Sequence, residues 1–161
     1  MVGHDNITPQ GRRFLAEIEK LKTLQVRIGY QDDGSLAAKR TKDGVEDASV
    51  TLLDVAMWNE LGTVNSPPRP FLRQSVDDNA SKISAFCGDQ LQKLAQGTTD
   101  AETILKQVGV MQKGLVQEKI RNGDFEPNSP STVKKKGSDK PLIDTARMRQ
   151  SVNYAIQRKG G

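Results

Sequence analysis

Residues 24–30 read LQVRIGY. Leu24, Val26, Ile28 and Tyr30 alternate with Gln25, Arg27 and Gly29, the two-residue period of a half-buried β-strand. Just upstream, Thr8 followed by Pro9 is an N-cap with proline in the first helical position, and Phe14, Leu15, Ile18 and Leu21 recur at helical spacing. Residues 9–22 are therefore expected to form an amphipathic helix leading into the strand. A second alternating run, SVNYAIQ at residues 151–157, lies at the far end of the chain. If the two strands pair, the middle of the chain becomes one long helical excursion from a small antiparallel sheet. The fold class expected is α+β, with a helical hairpin packed on that sheet and long assembly loops.

The excursion opens with residues 31–50, QDDGSLAAKRTKDGVEDASV, which show neither period and are expected to form a long flexible loop. Residues 50–61 predict a short helix capped by Ser49, with Leu52, Val55 and Ala56 inward and Gly62 as its left-handed stop. Val76, Ala80, Ile83, Cys87, Leu91 and Leu94 then make one apolar stripe over five turns, ended by Gly97. Thr99 and Glu102 have the spacing of a capping box. A second stripe follows at Ile104, Val108, Met111 and Leu115, flanked by Leu105, Val116 and Ile120 and closed by Gly123, so the two helices predict a hairpin. Residues 124–140 are rich in proline, serine and lysine and predict a second flexible loop, with a turn at Ser129–Pro130. At 161 residues the chain has the length of a single domain, 1–161.

Composition narrows the function. Aromatic residues make up only 4% of the chain, so the core is expected to be aliphatic and much of the surface to face loops or partners. No run approaches the length of a membrane span, the N-terminal residues lack a secretory signal, and one cysteine excludes an internal disulfide framework. The expectation is a protein of a reducing, cytoplasm-like compartment with no membrane association. Residues 1–105 hold 12 Lys/Arg against 15 Asp/Glu and residues 106–161 hold 12 against 5, a split of −3 and +7. Such lopsidedness favours nucleic acid, or neighbouring copies packing head to tail.

Catalytic chemistry finds little to stand on. His4 is the sole histidine, so one chain supplies neither a histidine-based triad nor a two-histidine metal site. Cys87 lies on an apolar helical stripe, the setting of an inert buried thiol. No glycine-rich phosphate loop is present. The expectation is no enzyme and no cofactor. Lys134, Lys135, Lys136 and Lys140 are the strongest nucleic-acid candidates. Without interleaved aromatics they offer only non-specific phosphate attraction, and a solvated loop is the default reading.

Residues 56–73, AMWNELGTVNSPPRPFLR, crowd three prolines into SPPRPFLR. Prolines fix their own φ and push the preceding residue toward extended backbone, so 65–70 are expected to form a polyproline-like strut. Pro70 is expected to start the next helix, Phe71 and Leu72 to anchor the strut, and Glu60 to pair with Arg69 or Arg73. Burial is expected for Trp58 and Phe71 ahead of partner contact. The stiff edge would also be ready for docking at low ordering cost, which makes Trp58, Glu60, Arg69, Phe71 and Arg73 the interface candidates.

The helix end AMWNELGT followed by PPRPFLR, and later PNSPSTVKKKGSDKPLIDTARMRQSVNYAI, resembles the tail-completion or head–tail joining proteins of tailed bacteriophages, also called neck or virion-morphogenesis proteins. The likeness runs from about Val50 to Ile156, and more loosely back to LQVRIGY. It departs at Leu61, where the family tends to have Phe, and at Ala146, where it tends to have Gly. The resemblance implies a non-enzymatic subunit of the virion, assembled in the host cytoplasm into a ring, most often of six copies. That ring would join the head connector or head-closure protein to the tail tube or tail terminator protein. Non-specific contact of Lys134–Lys136 and Lys140 with phage DNA or a neighbouring subunit belongs to the same expectation. The alternative is a basic DNA-binding module acting through that C-terminal segment.

Overall fold

The terminal strands pair. In the computed structural model, which describes residues 6–32, 51–125 and 146–160, β1 (Leu24–Gly29) and β2 (Asn153–Arg158) form a two-stranded antiparallel sheet. The Lys159 N–H donates to the Thr23 carbonyl at 2.9 Å, fixing the register at the sheet's end. The remaining described elements are helical: α1 (Pro9–Thr23), α2 (Leu52–Leu61), α3 (Phe71–Asp77), α4 (Ala80–Ala95), α5 (Ala101–Asn122) and α6 (Ala146–Ser151). The fold is α+β, mostly helical with this small sheet. Most of the expected loops at 31–50 and 124–140, together with Lys134, Lys135, Lys136 and Lys140, lies outside the described residues.

The described residues fall into two compact units. The first comprises 6–27, 80–111 and 154–160. Helix α1 starts as its sequence dictates, with the Thr8 hydroxyl accepting the Gly11 N–H at 3.0 Å and Pro9 in the first turn. It packs on α4, where Gln90 and Leu94 are buried. Glu17 is also buried, and its Oε2 accepts the Ala101 N–H at 2.8 Å, capping the start of α5 from a distance. The Lys20 ammonium at 2.7 Å and that N–H both favour the charged carboxylate, which holds Glu17 below the ordinary glutamate range. Asp100 is the local cap of α5, accepting the Thr103 N–H at 2.8 Å. The expected Thr99–Glu102 box does not form, because Asp100 sits one residue closer and offers a stronger acceptor. The Thr99 hydroxyl is buried without a hydrogen bond. Along α5, Gly109 lies against the ring of Tyr154 from β2, where a Cβ would collide with the aromatic carbons.

The second unit comprises 28–32, 51–79, 112–125 and 146–153. Its core is Ala56, Phe71, Val116, Ile120, Met148 and Val152, with Ile28, Tyr30 and Leu72 packed around it. Tyr30 meets Phe71 edge to face at 6.3 Å, and its hydroxyl donates to the Met148 carbonyl at 2.7 Å. Burial pushes the Tyr30 phenol well above its ordinary pKa. Helix α6 has no counterpart in the expected elements. Its Met148 enters the core, and its Arg149 carbonyl accepts the Gln117 amide at 3.1 Å.

Two further expectations are corrected here. Helix α2 is capped by Thr51, whose hydroxyl accepts the Asp54 N–H at 3.1 Å while Asp54 Oδ2 accepts the Thr51 N–H at 2.9 Å. The box therefore sits two residues after Ser49. The stripe from Val76 to Leu94 is also not one helix. It breaks at Asp78–Asn79, where the Asn79 side-chain amide donates to the Ser75 carbonyl at 3.0 Å and its N–H turns back to Val76. Side-chain bonding to nearby backbone is how Asn competes with helix continuation. Val76 and Leu91 remain exposed, so the buried face of α4 is narrower than the stripe suggested.

Candidate assembly face

Helix α2 reads LLDVAMWNEL, apolar on nearly every side. Leu52 and Ala56 are buried, and Val55 packs on the core. Leu53, Met57 and Leu61 form an i, i+4, i+8 ridge facing outward, with Trp58 beside them. Trp58 is 43% exposed and Leu61 71%. The expected burial of Trp58 is thus replaced by exposure, because Leu52, Val55 and Ala56 already fill the inward positions. A helix that is apolar all round ordinarily lies wholly inside a structure, so the outward apolar half of α2 is the candidate for a contact surface.

The three polar residues of α2 are occupied locally. Asp54 completes the capping box, and its bonds from Thr51 hold its carboxyl below the ordinary aspartate range. The Asn59 amide donates to the Val55 carbonyl at 2.8 Å. Glu60 is not paired with an arginine. Its Oε2 accepts the Leu72 N–H at 2.9 Å and its Oε1 the Arg73 N–H at 3.0 Å. Among the described residues no ion pair joins Glu60 to Arg69 or Arg73. The reason lies at the start of α3, where Pro70 occupies the cap position and has no side chain able to accept a bond.

Between α2 and α3 the chain turns sharply instead of running as a strut over 65–70. Gly62 adopts φ +79° with extended ψ, and a Cβ there would sit 2.9 Å from the Pro68 nitrogen. Only glycine suits this position, although its ψ is not that of a left-handed helix stop. Thr63 and Ser66 exchange N–H···O bonds of 2.9 and 3.2 Å, leaving Val64 fully exposed at the tip. Pro67 and Pro68 extend the return, and the Arg69 N–H donates to the Asn59 carbonyl at 2.6 Å. Pro70, with φ −76° and ψ +65°, centres an inverse γ-turn closed by the Phe71 N–H on the Arg69 carbonyl. Leu61, Val64, Pro67 and Pro68 line one shallow, open depression.

Of the expected interface residues, Trp58 lies on the exposed face, while Phe71 is fully buried and Arg69 is 9% exposed. Arg73 is exposed and Glu60 joins its backbone to α2. Leu53, Met57, Leu61 and Val64 were not singled out from sequence. The available signal was that α2 has more apolar residues than its inward face accommodates. Among the described residues no helix is long and apolar enough to cross a membrane. No family model matches the chain, and no curated protein or solved structure matches it.

Proposed function

We propose that this protein is a structural part of a tailed-phage virion, a ring-forming subunit at the neck or tail top that joins the head connector to the tail tube. The observation that carries the reading is the α2 face. An uncharged apolar surface stands on a turn fixed by Gly62, three prolines and the Glu60 cap, so little order is lost when a partner covers it. The motif AMWNELGTVNSPPRPFLR, through which the chain resembles head–tail joining proteins, builds this face and its brace. On this reading the protein acts by shape, and no covalent bond is made or broken. Imaging of intact particles carrying a tagged subunit tests it. Density at the head–tail junction of every joined particle is expected, and joined particles without the tag there would overturn the reading.

The +7 balance of residues 106–161 favours a second reading, a basic module that binds DNA through its phosphates. Such binding weakens steeply with salt. Replacement of Lys134, Lys135 and Lys136 by Ser would then weaken DNA binding and flatten its salt dependence. Unchanged affinity would remove this second reading.

A further inference from the structure

The strands β1 and β2 lie six residues against six, and the bond from the Lys159 N–H to the Thr23 carbonyl sets their register. Gln25 stands opposite Gln157, Arg27 opposite Ala155 and Gly29 opposite Asn153. Backbone groups alternate in direction along an antiparallel strand, so these three residues point theirs at β2 while Leu24, Val26 and Ile28 point theirs at the other edge. The Leu24 N–H is taken by the Lys20 carbonyl at the end of α1. Among the described residues no strand lies along that edge, and no hydrogen bond reaches the outward N–H and C=O groups of Val26 and Ile28. Natural proteins ordinarily blunt such an edge with proline, a bulge or charge, and β1 has nothing of the kind but Arg27. The outer edge of β2 is less open, because Tyr154 already has partners within the chain.

Around Val26 the side chains follow the same order in both directions: Leu24, Gln25, Val26, Arg27, Ile28 alternate apolar and polar outward from the centre. A second β1 laid antiparallel about a two-fold axis at Val26 sets Val26 opposite Val26, Leu24 opposite Ile28 and Gln25 opposite Arg27, apolar with apolar on one face and polar with polar on the other. An axis at Arg27 would instead oppose two like charges, and an axis at Gln25 would call on the Leu24 N–H, which is already bonded. Glutamine and arginine suit each other here. Within one chain Arg27 Nε and Nη2 lie 3.2 Å from the Gln25 amide, oriented so that its oxygen accepts them. A guanidinium has five N–H donors, enough to serve the amide of a second copy as well.

We propose that two copies of this chain pair through β1, edge to edge and antiparallel about Val26, to make one four-stranded sheet in the order β2, β1, β1, β2. Each copy donates its Val26 N–H to the other's Val26 carbonyl and its Ile28 N–H to the other's Leu24 carbonyl. The contact is isologous, the same edge meeting itself. It is independent of the virion reading, and its failure would leave that reading untouched.

Sedimentation velocity of the full chain, from micromolar to near-millimolar concentration, should show a monomer passing into a dimer. Amide hydrogen exchange read by NMR over the same range locates the contact. Exchange at Val26 and Ile28 should slow about tenfold as the dimer fills, while Gln25 and Arg27, already bonded to β2, should change little. Gln25→Glu, which sets a carboxylate opposite Arg27 of the second copy, should tighten the dimer about two- to fivefold, and Gln25→Arg should weaken it by a similar factor. Unchanged circular dichroism and melting confirm that both variants are folded. A monomer at every concentration would overturn the proposal. So would association that leaves Val26 and Ile28 exchange unchanged, or equal dimer affinity in Gln25→Glu and Gln25→Arg.

Discussion

Glu60 and Leu72 meet across twelve residues of sequence, the carboxylate at the end of α2 accepting the N–H in the first turn of α3 at 2.9 Å. With Arg73 on the second carboxylate oxygen, Phe71 bonded to Arg69 and Gln74 bonded to Pro70, all four N–H groups that open α3 have acceptors. One residue thereby ties the apolar helix to the far end of its brace. Glu60→Ala should cost about 1 kcal/mol of stability, the usual worth of a cap. Urea unfolding measures it. Since no Glu60–Arg69 ion pair exists, Glu60→Arg should not rescue Arg69→Glu.

Gly62 is the hinge of the turn. Alanine there meets both a positive φ and the Pro68 backbone, so Gly62→Ala should lower stability by about 1–3 kcal/mol. Thermal melting tests the cost, and accelerated proteolysis between residues 62 and 70 would place it in the turn.

Gly109 and Tyr154 form a contact in which two effects oppose each other. Alanine in a helix interior gains about 1 kcal/mol over glycine, while forcing a methyl group into an occupied space costs about 1–3 kcal/mol. Gly109→Ala is therefore expected to destabilise the wild type, where the Tyr154 ring fills the space. In a Tyr154→Ala background the same change should become neutral or stabilising. A double-mutant cycle by chemical unfolding reads the change of sign.

The Tyr30 hydroxyl bonds to the Met148 carbonyl from inside the core. Tyr30→Phe leaves that carbonyl without this donor and should cost about 1–2 kcal/mol. Equilibrium unfolding checks it, with Phe71 packing retained because the ring itself is unchanged.

Acid should loosen both units through three carboxylates. Glu17, Asp54 and Asp100 are all held below their ordinary pKa by hydrogen bonds to the charged form. The folded chain therefore binds fewer protons than the unfolded chain in acid. Their stabilisation is complete above the unfolded values near pH 4 and is lost as pH falls through the lower folded values. Melting temperature measured from pH 7 down to pH 2 should be flat at first and then fall below about pH 4. Glu17→Gln should flatten part of that fall.

Much of this architecture is visible in the residues themselves. Alternation in LQVRIGY marked β1, and Thr8–Pro9 marked the start of α1, since both signals are local. The end of α2 was equally plain at Gly62. The break between α3 and α4 was hidden because Val76 and Ala80 keep helical spacing across it. The Glu60 cap was hidden for a different reason. It depends on the chain reversing between Gly62 and Pro70, and only that reversal brings a carboxylate to N–H groups twelve and thirteen residues away. For the assembly face, Trp58 was noticed as a type of residue, but the ridge of Leu53, Met57 and Leu61 needed the knowledge of which side of α2 meets the core.

The most direct test of a role exercised by shape alone is complementation of head–tail joining. Heads and tails from particles lacking this protein are mixed with purified wild type or with Leu61→Glu, and joined particles are counted by electron microscopy. The account predicts that wild type restores joining and folded Leu61→Glu does not. Normal joining without any added protein, or equal restoration by Leu61→Glu, would contradict it.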